Sequence, residues 1–172
     1  MRYLYMFFLV VGLVSCKAKV DSKPTISKEV DKIACPENGT CSFEIIENKV
    51  LQIKTDELQG MYPEIINGNH VVLKFEYKKQ GDASYQDNDY REEIFIELDK
   101  NKFLFETTDL KNEKLVFARW CYCKGQTGYY KIRHGKLSIT KIDDKNFQLH
   151  LGFKVDEVPQ IINEIKHTFS LQ

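Results

Sequence analysis

Alternation of apolar and polar side chains constrains this chain more than any other feature it carries. From Val71 to Lys78, Val71, Leu73, Phe75 and Tyr77 alternate with Val72, Lys74, Glu76 and Lys78. A strand turns successive side chains to opposite faces, so a run of this kind lays one apolar face on a core. The period returns in Ile94, Ile96 and Leu98, in Leu137 and Ile139, and in Phe147, Leu149, Leu151, Phe153 and Val155. Phe43 and Ile45, then Val50, Leu51 and Ile53, form two short runs broken at Asn48. That break predicts a hairpin turn near Glu47-Asn48-Lys49. Asn67-Gly68-Asn69, Asp99-Lys100-Asn101 and Asp143 to Asn146 predict further turns, His134-Gly135 a turn or bulge, and Gln80 to Tyr90 a polar loop. Leu115, Phe117, Arg119, Cys121 and Cys123 share one strand face; Val116, Ala118, Trp120 and Tyr122 share the other. Both faces are rather apolar, which suits a central strand covered on both sides. The segment from Val158 to Gln172 fits a helix through Ile161, Ile165 and Phe169, or a strand through Ile165, His167, Phe169 and Leu171. Thr168-Phe169 and the need for a closing edge favour the strand. The expectation is an all-β domain of seven to nine strands, an antiparallel sandwich, with a small up-and-down barrel as the alternative.

The amino end has a different grammar. Arg2 precedes an uncharged apolar run from Tyr3 to Val14, shorter than the roughly 20 residues a spanning helix needs. A basic start and a short apolar core form the secretory-signal pattern. The run closes on Leu13-Val14-Ser15-Cys16, which resembles the lipobox of bacterial lipoproteins. The resemblance implies diacylglycerol on the Cys16 thiol, cleavage between Ser15 and Cys16, and acylation of the new amine. Two or three acyl chains give firm attachment where one would not. Residues 1–15 then form the signal, 16–34 the lipidated Cys16 and a polar tether, and 35–172 a single all-β domain. Asp does not follow Cys16 directly and no acidic cluster stands nearby, which points to the outer membrane, facing the periplasm.

Gly128-Tyr129-Tyr130-Lys131-Ile132, then Gly135 to Asp143, then Phe147 to Val155, look like the C-terminal strands of small β-rich lipoproteins of Bacteroidota. That resemblance implies a location and an architecture; most such families have no assigned activity, so it implies no reaction.

Cys16 must be counted apart from Cys35, Cys41, Cys121 and Cys123. An even set in an exported chain points to two disulfides. Cys121 and Cys123 would share a face of an extended strand, where i and i+2 are too far apart to bridge without strain. The expected pairing therefore ties the Cys35–Cys41 segment onto the Cys121–Cys123 strand. The alternative is a small Cys35–Cys41 loop around Pro36-Glu37-Asn38-Gly39, leaving Cys121 and Cys123 strained together or free. A zinc or copper site at these cysteines competes, but Cys-x-Cys is not the usual Cys-x2-Cys spacing.

Once Arg2 is removed, 24 basic and 25 acidic side chains remain, a balance that excludes nucleic acid as the expected partner. His70, His134, His150 and His167 show no metalloprotease spacing, and no Gly-x-Ser-x-Gly elbow occurs. The histidines are expected to be exposed or locally bonded, with His150 and His167 on polar strand faces. Glu92-Glu93 opens a strand and Asp143-Asp144 sits in a turn, so neither pair is singled out for catalysis. Asp82, Asp87, Asn88 and Asp89 crowd one loop, without the spacing of a calcium loop. Tyr85, Tyr90, Trp120 and Tyr122 offer aromatic contact surface for a partner. The sequence thus predicts no catalytic residue, no metal and no cofactor. It predicts a membrane-anchored, non-enzymatic module binding a protein or small ligand, or serving structurally. An envelope inhibitor or immunity-type lipoprotein blocking a hydrolase is the alternative, with metal handling through the cysteines a further one.

Overall fold

The computed structural model describes residues 35–79, 81 and 89–171. These residues carry nine strands: β1 (Thr40–Thr55), β2 (Met61–Lys79), β3 (Tyr90–Leu98), β4 (Phe105–Thr107), β5 (Leu115–Trp120), β6 (Gly128–Lys131), β7 (His134–Lys141), β8 (Asn146–Lys154) and β9 (Glu164–Ser170). They form two antiparallel sheets, one in the order β1-β2-β3-β5-β6 and the other β4-β7-β8-β9. The sheets do not close into a barrel, so the chain is an antiparallel β-sandwich. The alternating residues do what their period requires. Val71, Leu73, Phe75 and Tyr77 meet Leu149, Leu151 and Phe153 from the facing sheet in one buried core. The last segment is a strand, β9, whose Ile165 and Phe169 enter the same core.

Two expected turns are not turns. β1 runs unbroken through Glu47-Asn48-Lys49, and β2 runs unbroken through Asn67-Gly68-Asn69. The two signals lie opposite each other and together make a bulge. Register passes from Glu47↔Val71 to Lys49↔Asn67, so Asn48 alone opposes residues 68–70. Asn48 takes the left-handed conformation, φ 58°, which asparagine tolerates better than most residues. A side chain at Gly68 would begin 2.3 Å from Val50 Cγ1, so the crossing admits only glycine. The real turn spans Asp56 to Gly60, where Asp56 Oδ1 accepts the amides of Leu58 (2.9 Å) and Gly60 (2.7 Å).

A bulge bends the strand and increases its twist. Here it folds the distal half of the β1–β2 hairpin, the arm, back over the outer face of its own sheet. Leu51 of the arm is fully buried there with Ile46, Val72, Phe95 and Val116, and Met61, Ile65 and Tyr129 pack around them. β2 is thereby brought against β6, a strand it does not pair with. The arm explains why both faces of β5 are apolar: Leu115 and Phe117 face the main core, and Val116 faces the arm.

Three smaller expectations are corrected. Asp99-Lys100-Asn101 is not a hairpin turn; a 3-10 turn at Lys100–Lys102 carries the chain to β4 in the opposite sheet. His134 and Gly135 lie within β7, where the Gly135 backbone approaches Gly152 so closely that a Cβ would sit 2.0 Å from its carbonyl oxygen. β5 ends at Trp120, so Cys121 and Cys123 are outside the strand.

Candidate functional site

β3 carries three acidic residues that are buried, and each is used differently. Glu92 faces the main core side, opposite Arg119 of β5. Its Oε1 accepts the Ile161 amide (2.6 Å) and the Tyr90 hydroxyl, and its Oε2 accepts the Ile162 amide (2.7 Å). Glu92 thus holds the strand-free approach to β9 onto the opposite sheet. Arg119 lies over the Tyr90 ring at 5.3 Å, donates from Nε to the Tyr90 oxygen (3.1 Å), and reaches Gln126 through Nη1. Burial, reinforced by the bond to Glu92 and opposed by Arg119, pushes the Tyr90 hydroxyl up to about 12.

Glu93 points to the outer face. It pairs with Lys74 (2.7 Å) and accepts the Trp120 indole N–H (2.6 Å), while Arg91 lies 3.7 Å away and over the Trp120 ring. Burial alone would raise this carboxyl. The hydrogen bonds from Lys74 and Trp120 and the charges of Lys74 and Arg91 outweigh burial and hold it below the ordinary range. Trp120 in turn meets Tyr129 edge-on at 5.1 Å.

Glu97, two turns of the pleat further on, is the clasp of the arm. Its Oε2 accepts the Leu51 amide at 2.5 Å, and its Oε1 is 2.8 Å from His70 Nδ1 and 2.9 Å from Lys114 Nζ. The carboxylate oxygens of Glu92, Glu93 and Glu97 are therefore engaged in holding segments together. Glu92 and Glu93 lie on opposite faces of one strand and cannot act as a pair.

The four cysteines make two bridges, Cys35–Cys41 and Cys121–Cys123. The expected cross-pairing is corrected. Its premise was an extended strand through Cys123, but the chain bends after Trp120 and brings the two Cα atoms to 5.2 Å, inside the range a disulfide accepts. Cys35 and Cys41 sit 5.7 Å apart around the Pro36–Gly39 loop, the alternative reading.

The aromatic residues singled out from sequence are partly gathered. The Arg91↔Trp120 register puts Tyr90 and Trp120 at one end of the same sheet, but Tyr90 turns inward to Glu92 and Trp120 outward to Glu93. Tyr122 stands between the bridged cysteines and is 89% exposed. Tyr85 lies outside the described residues, as do Ser15, Cys16, the tether, and Asp82, Asp87 and Asn88. Asp89 caps its own loop, accepting the Gly81 amide at 3.1 Å. Asp143 accepts the Lys145 and Asn146 amides, as a turn residue should.

The histidines are dispersed. His134 lies 3.3 Å from Asp156 and His150 2.8 Å from Glu164. His167 is not on a polar face: it is buried in β9 opposite Leu149, its ring 4.1 Å from that of Phe43. Among the described residues, no group of three or more His, Cys, Asp or Glu is placed to hold a metal ion. Sequence reading missed Glu97 and the inward role of Arg119, because their partners, Leu51, His70, Lys114 and Gln126, come from segments that local patterning does not connect.

Compared with known proteins, the chain matches no family model, no curated protein and no solved structure.

Proposed function

We propose that this chain is an exported β-sandwich, anchored to the outer membrane through lipid on Cys16, that works in the cell envelope as a binding module. Its recognition point is the Cys121–Tyr122–Cys123 turn. The observation that carries the reading is the contrast between that turn and the buried acidic groups of β3. Glu92, Glu93 and Glu97 hold backbone amides, a hydroxyl and an indole in place. Tyr122 makes no such commitment: it is 89% exposed on a bridged and hydrogen-bonded turn. A rigid tyrosine gives large amphipathic contact at small cost in conformational entropy, which suits a protein partner.

Site-specific photocrosslinking in intact envelopes tests this. A benzophenone amino acid is placed at Tyr122 or, as a control, at Ile142, which is 55% exposed beyond β7 in the other sheet. A discrete protein adduct from position 122 and not from position 142 is expected. Equal labelling from both, or none from either, refutes the partner surface.

A further inference from the structure

The two bridges differ in what surrounds them. Cys35 and Cys41 pack against the main core. Cys121 and Cys123 belong to neither apolar cluster and flank the exposed Tyr122. The second bridge spans one intervening residue, against five for the first. A disulfide stabilises a fold by restricting the reduced, unfolded chain, and the restriction is smallest for the shortest loop. Folding in turn resists reduction of a bond only as far as that bond supports the fold. The turn is also held without its sulfurs. The Cys121 amide donates to Thr127 Oγ1 (3.3 Å), the Thr127 hydroxyl donates to the Cys121 carbonyl (2.8 Å), and the Gln126 amide donates to the Cys123 carbonyl (3.1 Å). Opening Cys121–Cys123 breaks no strand pairing, since β5 ends at Trp120 and β6 starts at Gly128. Accessible bridges of low structural value are the labile ones.

We infer that Cys121–Cys123 is a thiol–disulfide exchange site whose substrate is a dithiol polypeptide. A substrate thiol loses its proton to solvent, and its thiolate attacks Cys123 Sγ. A sulfur–sulfur bond forms to Cys123 while the Cys121–Cys123 bond breaks, and its electron pair leaves on Cys121 Sγ. Thr127 Oγ1 lies 3.8 Å from that sulfur, where its hydrogen can turn from the carbonyl to the new thiolate. Lys124, next to Cys123 in the chain, adds positive charge to the turn, which favours a thiolate. The substrate's second thiolate then displaces Cys123. The substrate is oxidised to a disulfide, and Cys121 and Cys123 are reduced and take up two protons from solvent. Each molecule carries one exchange until a second disulfide compound restores it. The site does not depend on the partner reading of Tyr122.

Full-length protein in detergent is equilibrated with glutathione buffers of graded ratio, quenched in acid, alkylated and mapped by mass spectrometry. The equilibrium constant for reduction is expected to be about a hundredfold larger for Cys121–Cys123 than for Cys35–Cys41, a difference of about 60 mV for two electrons. Oxidised protein is also mixed with a quenched fluorescent peptide bearing two cysteines. About one equivalent of peptide is expected to be oxidised, and C121S/C123S should slow this at least tenfold. The inference is overturned if Cys121–Cys123 is as hard to reduce as Cys35–Cys41 or harder, if the peptide is not oxidised, or if a folded double variant keeps the wild-type rate. The glutathione titration uses the unaltered chain, so it decides the matter even where the double variant does not fold.

Discussion

Tyr90 stands between two buried ions. Its hydroxyl donates to Glu92 and accepts from Arg119 Nε at 3.1 Å, and its neutral form is the one that can do both. Replacing it by phenylalanine removes one donor from a carboxylate that is fully buried and one acceptor from a guanidinium that is nearly so. Tyr90→Phe is expected to cost about 1–3 kcal/mol near neutral pH, the usual penalty for stranding a buried charged partner. The pH dependence has a definite sign. The folded-state value, about 12, lies above the ordinary 10.0, so the protonated hydroxyl is favoured by folding. Its contribution is complete below pH 10 and is lost as pH rises toward 12. Urea midpoints measured at pH 8, 10 and 11.5 should therefore show the gap between wild type and Tyr90→Phe closing over that range. A gap that stays constant to pH 11.5 would remove Tyr90 from the linkage.

At the scale of the element, the arm is the part of the fold that was least legible in advance. Period-two patterning located β3, β7 and β8 because the alternating apolar residues of each enter the main core from one face, and alternation records that directly. It failed at Asn48 and at Asn67-Gly68-Asn69. Asparagine and glycine mark left-handed or crowded backbone, and a bulge inside a hairpin needs the same residues as the end of one. Local sequence does not distinguish them; only the opposition of Asn48 to residues 68–70 across two strands does. The disulfide pairing failed for a related reason, since the bend after Trp120 lies where alternation continues on paper. The clasp was invisible because Glu97 reads as an ordinary polar position of β3, while its partners Leu51 and Lys114 lie 46 and 17 residues away. Glu97→Ala should accordingly act chiefly on the arm, whose Leu51 amide it holds. It leaves the Leu51 amide without its acceptor, which at about 1–3 kcal/mol corresponds to roughly five- to 150-fold faster opening. Hydrogen exchange by NMR should show that acceleration at Leu51 and its arm neighbours, with the amides of Leu73 and Ile94 unchanged. Uniform acceleration throughout the sheet would mean that Glu97 supports the whole sandwich and not the arm.

For the molecule as a whole, the cysteine count links the fold to its proposed address. Four of the five cysteines satisfy one another within the described domain, in bridges that cross neither sheet to sheet nor domain to amino end. The parity is complete without Cys16, so nothing in the sandwich requires its thiol, and the lipid reading needs that thiol to be free for acylation. Loss of Cys16 should then separate attachment from folding. Cys16→Ala is expected to abolish palmitate labelling and detergent-phase partitioning, since two or three acyl chains are removed together. The thermal midpoint of the domain should match that of the wild type, because the four cysteines of the described domain already pair with one another. Labelling that persists in Cys16→Ala would place the lipid elsewhere or deny it. A lowered midpoint with unchanged partitioning would instead give Cys16 a structural partner, and the pairing of Cys35 with Cys41 would be the first contact to re-examine by peptide mapping.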